Sequence, residues 1–240
     1  MVGLVTGKPE MLQTIAFDAD DTLWENEQFY RLTEQEFRSL LSDHADGDHL
    51  SERLLAAEKR NLKTYGFGIK GFVLSMIETA IEVTNGQVPT EAIAKILAIG
   101  RELLEHPIEL LEGANEVLEA LADRYSLMLI TKGDLFDQER KIAQSGLAEK
   151  FAAVEIVPDK NAAVYRRIFA QIGAEPGCTA MVGNSLKSDI VPVLELGAWG
   201  IFVPHALTWS LEHVEAPIDH DRFRQIENLK ALPDLLSRIS

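Results

Sequence analysis

Thr-Ile-Ala-Phe-Asp-Ala-Asp-Asp-Thr-Leu, residues 14–23, is an apolar run that changes abruptly into three carboxylates. Residues 12–17 are typical of a short buried strand, and Asp18 and Asp20 follow at its carboxyl end, where open α/β sheets bind ligands. Two carboxylates this close repel one another unless a cation neutralises them or one binds a proton. The stretch therefore indicates a hard metal ion such as Mg²⁺, proton-transfer chemistry, or both. An acidic turn that begins a helix is the simpler alternative.

The bulk composition narrows the class of protein. A chain of 240 residues with 46% hydrophobic residues can form one large domain, or a core with a smaller domain. Its net charge of −15 argues against a nucleic-acid partner, since phosphate backbones need a basic surface. The chain has one cysteine, which fits a reducing compartment, and it has no apolar stretch that suits a signal peptide or a membrane span. These features predict a cytoplasmic protein with no membrane partner. Residues 1–10 are expected to form a loose tail.

Two kinds of pattern follow the first strand. Apolar residues at spacings of three and four predict helices over 27–42, 48–64, 70–84 and 90–105. From residue 107 onward, helices at 113–123, 134–145, 160–172 and 186–196 alternate with strands at 126–131, 152–157, 179–183 and 199–203, and a short helix is expected near 233–239. This alternation predicts an α/β fold: a Rossmann-like parallel sheet with helices on both faces. The earlier helices form an all-helical insertion after the first strand.

Each later strand also ends in polar residues. Because the carboxyl ends of parallel strands share one edge of the sheet, these groups should converge with the two aspartates of the first strand. The pooled side chains are Asp18, Asp20, Thr131, Lys160, Asn184 and Asp189. Oxygen ligands suit Mg²⁺, and a hydroxyl with an ammonium suits the other oxygens of a phosphoryl group. Taken alone, Thr131 could instead cap a helix, and Asp189 could be a solvated helix residue.

In these motifs the chain resembles the haloacid dehalogenase (HAD) superfamily, and most closely its phosphatases. Asp18-Ala19-Asp20-Asp21-Thr22 matches the first motif, Thr131 the second, Lys160 the third, and residues 183–189 the fourth. The resemblance implies a HAD-type core made of residues 11–24 and 107–240. It also implies that residues 25–106 form a helical cap domain of the C1 group.

The resemblance also implies a mechanism. Asp18 would attack phosphorus to give an aspartyl-phosphate, and Asp20 would protonate the leaving alcohol and then deprotonate water. Thr131 would bind phosphoryl oxygens, and Lys160 would hold Asp18 in position. Mg²⁺ would be bound by a side-chain oxygen of Asp18, the backbone carbonyl of Asp20 and a side chain of the fourth motif. In this family the dehalogenases lack the second aspartate, because halide leaves unprotonated, so Asp20 favours phosphoryl transfer.

Two positions depart from the usual family pattern. Asn184 replaces an acid in the fourth motif, and the sequence leaves open whether Asn184 or Asp189 is the direct metal ligand. Lys132 stands where small or polar residues are frequent, and it can either contact the phosphate or point away from the crevice. In the cap, Lys70 lies in a glycine-rich segment with Tyr65 and Phe67. Lys70 is a candidate contact for a second anionic group of the substrate, and a flexible turn with a solvated lysine is the alternative.

These observations together predict a Mg²⁺-dependent phosphatase acting on a small phosphorylated metabolite, as a monomer or homodimer. Two alternatives stay open. A sugar phosphomutase would use the same nucleophile and acid but return the phosphoryl group to the bound sugar. A non-enzymatic HAD-fold binding module would not need Asp18.

Overall fold

The computed structural model describes residues 11–239, so the expected tail at 1–10 lies outside the described residues. A parallel sheet of six strands forms the centre of this part of the chain. The strands are β1 (Thr14–Phe17), β2 (Ser126–Lys132), β3 (Ala153–Val157), β4 (Thr179–Gly183), β5 (Trp199–Phe202) and β6 (Phe223–Gln225). Their order, β3-β2-β1-β4-β5-β6, places β1 in the interior of the sheet. The predicted Rossmann-like α/β fold is confirmed.

Helices cover both faces of the sheet because the side chains of each strand alternate between them. Ile15 and Phe17 of β1 belong to one apolar cluster, and Ala16 belongs to another on the opposite face. The first cluster includes residues of α5 (Ala114–Ala122) and α9 (Leu232–Ile239), and the second includes residues of α7 (Ala162–Ile172) and α8 (Val191–Leu194). A further helix, α6 (Leu135–Ser145), follows β2.

Four helices lie between β1 and α5, and we call residues 27–105 the helical insert. They are α1 (Glu27–Leu40), α2 (Gly47–Tyr65), α3 (Ile69–Val83) and α4 (Thr90–Glu105). The insert has its own apolar cluster, which contains Phe37, Leu50, Met76 and Ile96. The predicted domain boundaries at 24/25 and 106/107 stay a prediction. None of the described helices is both long and apolar enough to cross a membrane.

The chain enters and leaves the insert through two neighbouring segments. The backbone N–H of Glu25 donates to the carbonyl of Glu109 over 2.9 Å, and that of Leu111 donates to Leu23 over 2.9 Å. These bonds join the two crossing segments side by side, so the insert is anchored next to the carboxyl end of β1.

Two elements differ from the sequence prediction. The helix expected over 186–196 is a π-helical turn, Leu186–Ile190, followed by the short α8. Pro192 supplies no backbone N–H, so the regular α-helical hydrogen bonding is interrupted within this segment. The strand β6 was not predicted, because its three residues, Phe223–Gln225, are too few to show an alternating pattern.

Candidate active site

A cavity of about 450 Å³ lies between the carboxyl edge of the sheet and the helical insert. Seven of the predicted site residues line it: Asp18, Asp20, Thr131, Lys132, Lys160, Asn184 and Asp189. They come from the ends of strands far apart in the sequence, which meet because all the strands are parallel. The structure therefore brings together every predicted site residue of the α/β part of the chain.

Asp18, Lys160 and Asp189 form a buried charged cluster. The Lys160 ammonium donates to Asp18 Oδ1 over 2.5 Å and to Asp189 Oδ1 over 2.7 Å. Burial and then the negative charge of Asp189 raise the pKa of Asp18 to about 7, although Lys160 opposes this shift. Burial alone would lower the pKa of Lys160, but its contacts with Asp18 and Asp189 raise it above the ordinary range. Lys160 is therefore a fixed cation that holds the Asp18 carboxylate in one orientation.

The Thr22 hydroxyl and the Asn184 side-chain oxygen lie close to Asp18. The Thr22 hydroxyl lies 3.1 Å from Asp18 Oδ2 and 3.3 Å from Asn184 Oδ1, and it accepts the backbone N–H of Asn184 over 3.1 Å. Asp189 uses Oδ1 for Lys160 and Oδ2 for the N–H of Ser185, at 3.0 Å. Asp18 Oδ2 and Asn184 Oδ1 thus lie around one hydroxyl, whereas both carboxylate oxygens of Asp189 are engaged by other donors. Carboxylate and amide oxygens are suitable ligands for a hard divalent cation, so the residues present fit Mg²⁺.

Asp20 is held by three donors. Trp24 Nε1 and Lys141 Nζ each donate to Oδ1 over 2.7 Å, and Gln138 Nε2 donates to Oδ2 over 2.8 Å. Burial raises the pKa of Asp20, but these contacts, led by the charge of Lys141, outweigh burial and lower it below the ordinary value. Gln138 and Lys141 were not predicted as site residues, because they lie on α6 and not at a strand end. Their spacing of three on one helical face, directly after the second motif, was the available signal.

Asp21, the third carboxylate of the first motif, caps a helix. Its backbone has a φ of 59°, in the left-handed region that aspartate tolerates better than most residues. Its Oδ1 accepts the N–H groups of Asn26 at 2.9 Å and Glu27 at 3.0 Å, at the start of α1. His205 and Glu25 lie close to the same carboxylate. Asp21 therefore connects the loop after β1 to the helical insert.

We expect Asp21→Ala to lower the free energy of unfolding by about 2 kcal/mol, since it removes a helix cap and places alanine in a left-handed conformation. Asp21→Asn keeps an acceptor oxygen and tolerates this conformation, so it should cost much less. Urea unfolding of both variants measures the difference. Equal losses for alanine and asparagine would show that the cap and the backbone conformation are not what Asp21 contributes.

Thr131 and Lys132 follow one another at the end of β2. The Thr131 hydroxyl is buried, with the residue only 1% exposed, and it has no hydrogen-bond partner. Buried polar groups are normally paired, so this hydroxyl is available to a ligand oxygen. Lys132 donates to Ser188 Oγ over 2.7 Å and to Glu212 Oε1 over 2.5 Å. Lys132 therefore lines the cavity and does not point away from it.

Glu212 is a residue of the site that was missed from the sequence. It accepts hydrogen bonds from both Ser185 and Ser188 at 2.5 Å, in addition to Lys132. Burial raises the pKa of its carboxyl, but Lys132 and the two hydroxyls together lower it to about 2. It lies in a turn, Ser210–Glu212, within a loop that has no regular pattern, so nothing in the sequence indicated its place.

The structure does not bring Lys70 into the lining of the cavity. Its ammonium is exposed and pairs with Asp134, at 2.9 Å from Oδ1 and 3.0 Å from Oδ2. Asp134 also caps α6 by accepting the N–H of Asp137, so the cap of this helix is not Thr131. Phe67 of the same glycine-rich segment does reach the cavity, where the Lys132 ammonium lies 4.2 Å from the centre of its ring.

Comparisons with known proteins identify relatives that share the fold. A hydrolase from Xanthomonas campestris, described as haloacid dehalogenase-like, is 41% identical, with 95% of this chain and 91% of that chain covered and a TM-score of 0.86. A predicted phosphoglycolate phosphatase from Haemophilus somnus is 16% identical, over 93% of this chain and 97% of that chain, with a TM-score of 0.64. L-2-haloacid dehalogenase from Xanthobacter autotrophicus is 15% identical, with 96% of this chain and 100% of that chain covered and a TM-score of 0.66.

The last two similarities show a shared fold alone. No curated protein gives a significant match. The model of the haloacid dehalogenase-like hydrolases matches residues 12–193, which is most of the chain and contains all four motifs. The chain therefore belongs to the haloacid dehalogenase-like hydrolase family.

Proposed function

We propose that this hydrolase is a Mg²⁺-dependent phosphatase that acts on a small phosphomonoester through an aspartyl-phosphate formed on Asp18. The observation that carries the proposal is that Asp20 lines the same cavity as the Asp18–Lys160 pair. Hydrolysis of a phosphate ester expels an alkoxide that must gain a proton, whereas halide leaves without one. A carboxylate two residues from the nucleophile that can relay a proton is thus needed for the first reaction and superfluous for the second.

In the first step, an oxygen of Asp18 forms a bond to phosphorus while the bond from phosphorus to the ester oxygen breaks. Lys160 keeps the attacking carboxylate oriented, since its ammonium contacts Asp18 Oδ1. Three donors lower the pKa of Asp20, so the proton for the leaving oxygen is best supplied by the monoanionic substrate phosphate and passed through Asp20. In the second step Asp20 takes a proton from the water that hydrolyses the aspartyl-phosphate.

The remaining residues bind and orient the phosphoryl group. The free Thr131 hydroxyl and the Lys132 ammonium are suited to its oxygens. The Asp18 and Asn184 side chains, with the backbone carbonyl of Asp20, would hold Mg²⁺, which offsets the repulsion between an anionic nucleophile and an anionic phosphate. Asp189 then positions Lys160 and does not bind the metal directly.

Release of phosphate from p-nitrophenyl phosphate, with Mg²⁺ or with EDTA, tests the proposal. We expect release with Mg²⁺ and a loss of at least about 100-fold after chelation, because the metal contributes several kcal/mol of charge stabilisation. Chloride release from L-2-chloropropionate is the matched measurement for the other chemistry found on this fold. Chloride release without phosphate release would overturn the proposal.

A further inference from the structure

The half of the cavity formed by the helical insert is acidic. Glu27 and Glu34 of α1 and Glu58 of α2 line it, and we call these three half-buried carboxylates the acidic wall. Arg31 lies among them, with Nε 2.9 Å from Glu27 Oε1 and another nitrogen 3.7 Å from Glu34 Oε2. One guanidinium therefore faces three carboxylates, and the wall keeps an excess of negative charge.

Glu58 is the carboxylate without a cation. Among residues 11–239 it forms no ion pair, whereas Glu27 and Glu34 both approach Arg31. Burial, followed by the charges of Glu34 and Glu27, raises the pKa of Glu58 to about 7. Burial likewise raises the pKa of Glu27 to about 7, although Arg31 opposes it. A positive charge placed between these groups would relieve their repulsion.

Aromatic rings also line the cavity. Tyr30 packs against Phe72 with ring centres 5.1 Å apart, and Phe67 packs edge-on against Trp209 at 6.0 Å. The faces of such rings attract ammonium groups, and carboxylates beside aromatic rings are the usual surroundings of a bound organic cation. The rings and the acidic wall thus favour the same kind of ligand group.

No side chain that lines the cavity supplies the missing cation, within the residues that the structure describes. Lys132 is paired with Glu212, Lys141 with Asp20, and Lys160 with Asp18 and Asp189. At the sheet end of the cavity, the buried Thr131 hydroxyl remains without a partner. The cavity thus offers a hydrogen-bond donor at one end and an excess of carboxylate at the other.

We propose that the alcohol part of the substrate carries an ammonium group that binds the acidic wall, so that the substrates are phosphomonoesters of amino or quaternary-ammonium alcohols. This inference rests on the proposed phosphatase activity. The phosphoryl end lies against Thr131 and the Asp18–Lys160 pair, and the ammonium end lies between Glu58 and the aromatic rings. A cavity of about 450 Å³ accommodates a molecule of this size.

Two esters that differ only in charge test this substrate class. Phosphocholine carries a quaternary nitrogen, and 3,3-dimethylbutyl phosphate has a carbon in its place with nearly the same shape. We expect kcat/KM with Mg²⁺ to be at least about tenfold higher for phosphocholine, the effect of one partly screened charge pair. Phosphoglycolate, whose second group is anionic, should be hydrolysed more slowly than either ester.

The variant Glu58→Gln tests whether Glu58 is the carboxylate that produces the preference for phosphocholine. It should lower the ratio of kcat/KM for phosphocholine to kcat/KM for 3,3-dimethylbutyl phosphate by about tenfold. Glu36→Gln is the matched control, since Glu36 is an exposed carboxylate of the insert that does not line the cavity. It should change neither value.

Two failures are distinguishable. If p-nitrophenyl phosphate and all the other esters are inert with Mg²⁺, the proposed phosphatase function itself is wrong. If p-nitrophenyl phosphate is hydrolysed but phosphocholine and its neutral analogue react equally fast, only the substrate class is wrong. An equal loss for both esters in Glu58→Gln would likewise overturn the role of the acidic wall.

Discussion

Replacing Asp18 with asparagine is expected to lower kcat for p-nitrophenyl phosphate on the order of 10⁴- to 10⁶-fold, as loss of a covalent nucleophile does in other hydrolases. The amide has nearly the same shape as the carboxylate, but its oxygen is a poor nucleophile and cannot form the acyl phosphate. Steady-state release of phosphate by the purified variant measures the effect. Activity within tenfold of the wild type would exclude Asp18 as the nucleophile.

The same substitution should not destabilise the protein. Asp18 is buried beside Asp189, and its pKa of about 7 shows that the folded state disfavours its charge in the absence of metal. Asparagine removes this repulsion while Lys160 keeps its contact with Asp189. Thermal unfolding in EDTA should therefore occur at the same temperature or a higher one.

As a comparison, Asp20→Asn should reduce kcat only by about 10²- to 10⁴-fold, as expected of a general acid.

Replacing Lys160 with methionine should both inactivate and destabilise the protein. The Lys160 side chain is 1% exposed and its ammonium lies between two buried carboxylates, so its removal leaves Asp18 and Asp189 facing each other without a cation. Breaking a buried ion pair in this way lowers the free energy of unfolding by about 3–5 kcal/mol. Urea unfolding in EDTA measures the loss, and the phosphatase assay measures the inactivation.

A double variant separates the two effects of Lys160. Lys160→Met combined with Asp189→Asn leaves one carboxylate in the cluster, so we expect it to recover much of the lost stability. Activity should stay low, since Asp18 is no longer held in one orientation. Recovery of activity along with stability would mean that Lys160 serves the fold alone and plays no part in positioning the nucleophile.

The fold was predictable from the sequence where elements are long and regular. The residues of β1 and β2 alternate between two buried faces, and four punctuated helical segments correspond to α1–α4. The segment after β4 is helical as predicted, but its first turn is π-helical and Pro192 interrupts the regular hydrogen bonding of a continuous α-helix. The edge strand β6 depends on backbone pairing with β5, which no local pattern of three residues can indicate.

The site was predictable only where strands end. Parallel strands guarantee that their carboxyl ends share an edge, so Asp18, Lys160 and Asn184 could be placed together without a structure. Lys141 and Glu212 reach the site from a helix and a loop, and their positions depend on packing between distant segments. The contacts of the helical insert were unpredictable for the same reason, and Lys70 binds Asp134 instead of lining the cavity.

The cap that Asp21 provides for α1 has a thermodynamic consequence. Asp18 and Asp20 line the cavity, and Asp21, next to them, holds the first turn of the insert. A metal or phosphate that orders this loop must also favour one placement of α1. By reciprocity, any ligand that stabilises that placement from the insert side raises affinity at the sheet edge by the same factor. In the proposed phosphatase, binding of the alcohol half of a substrate would thereby strengthen the binding of its phosphate.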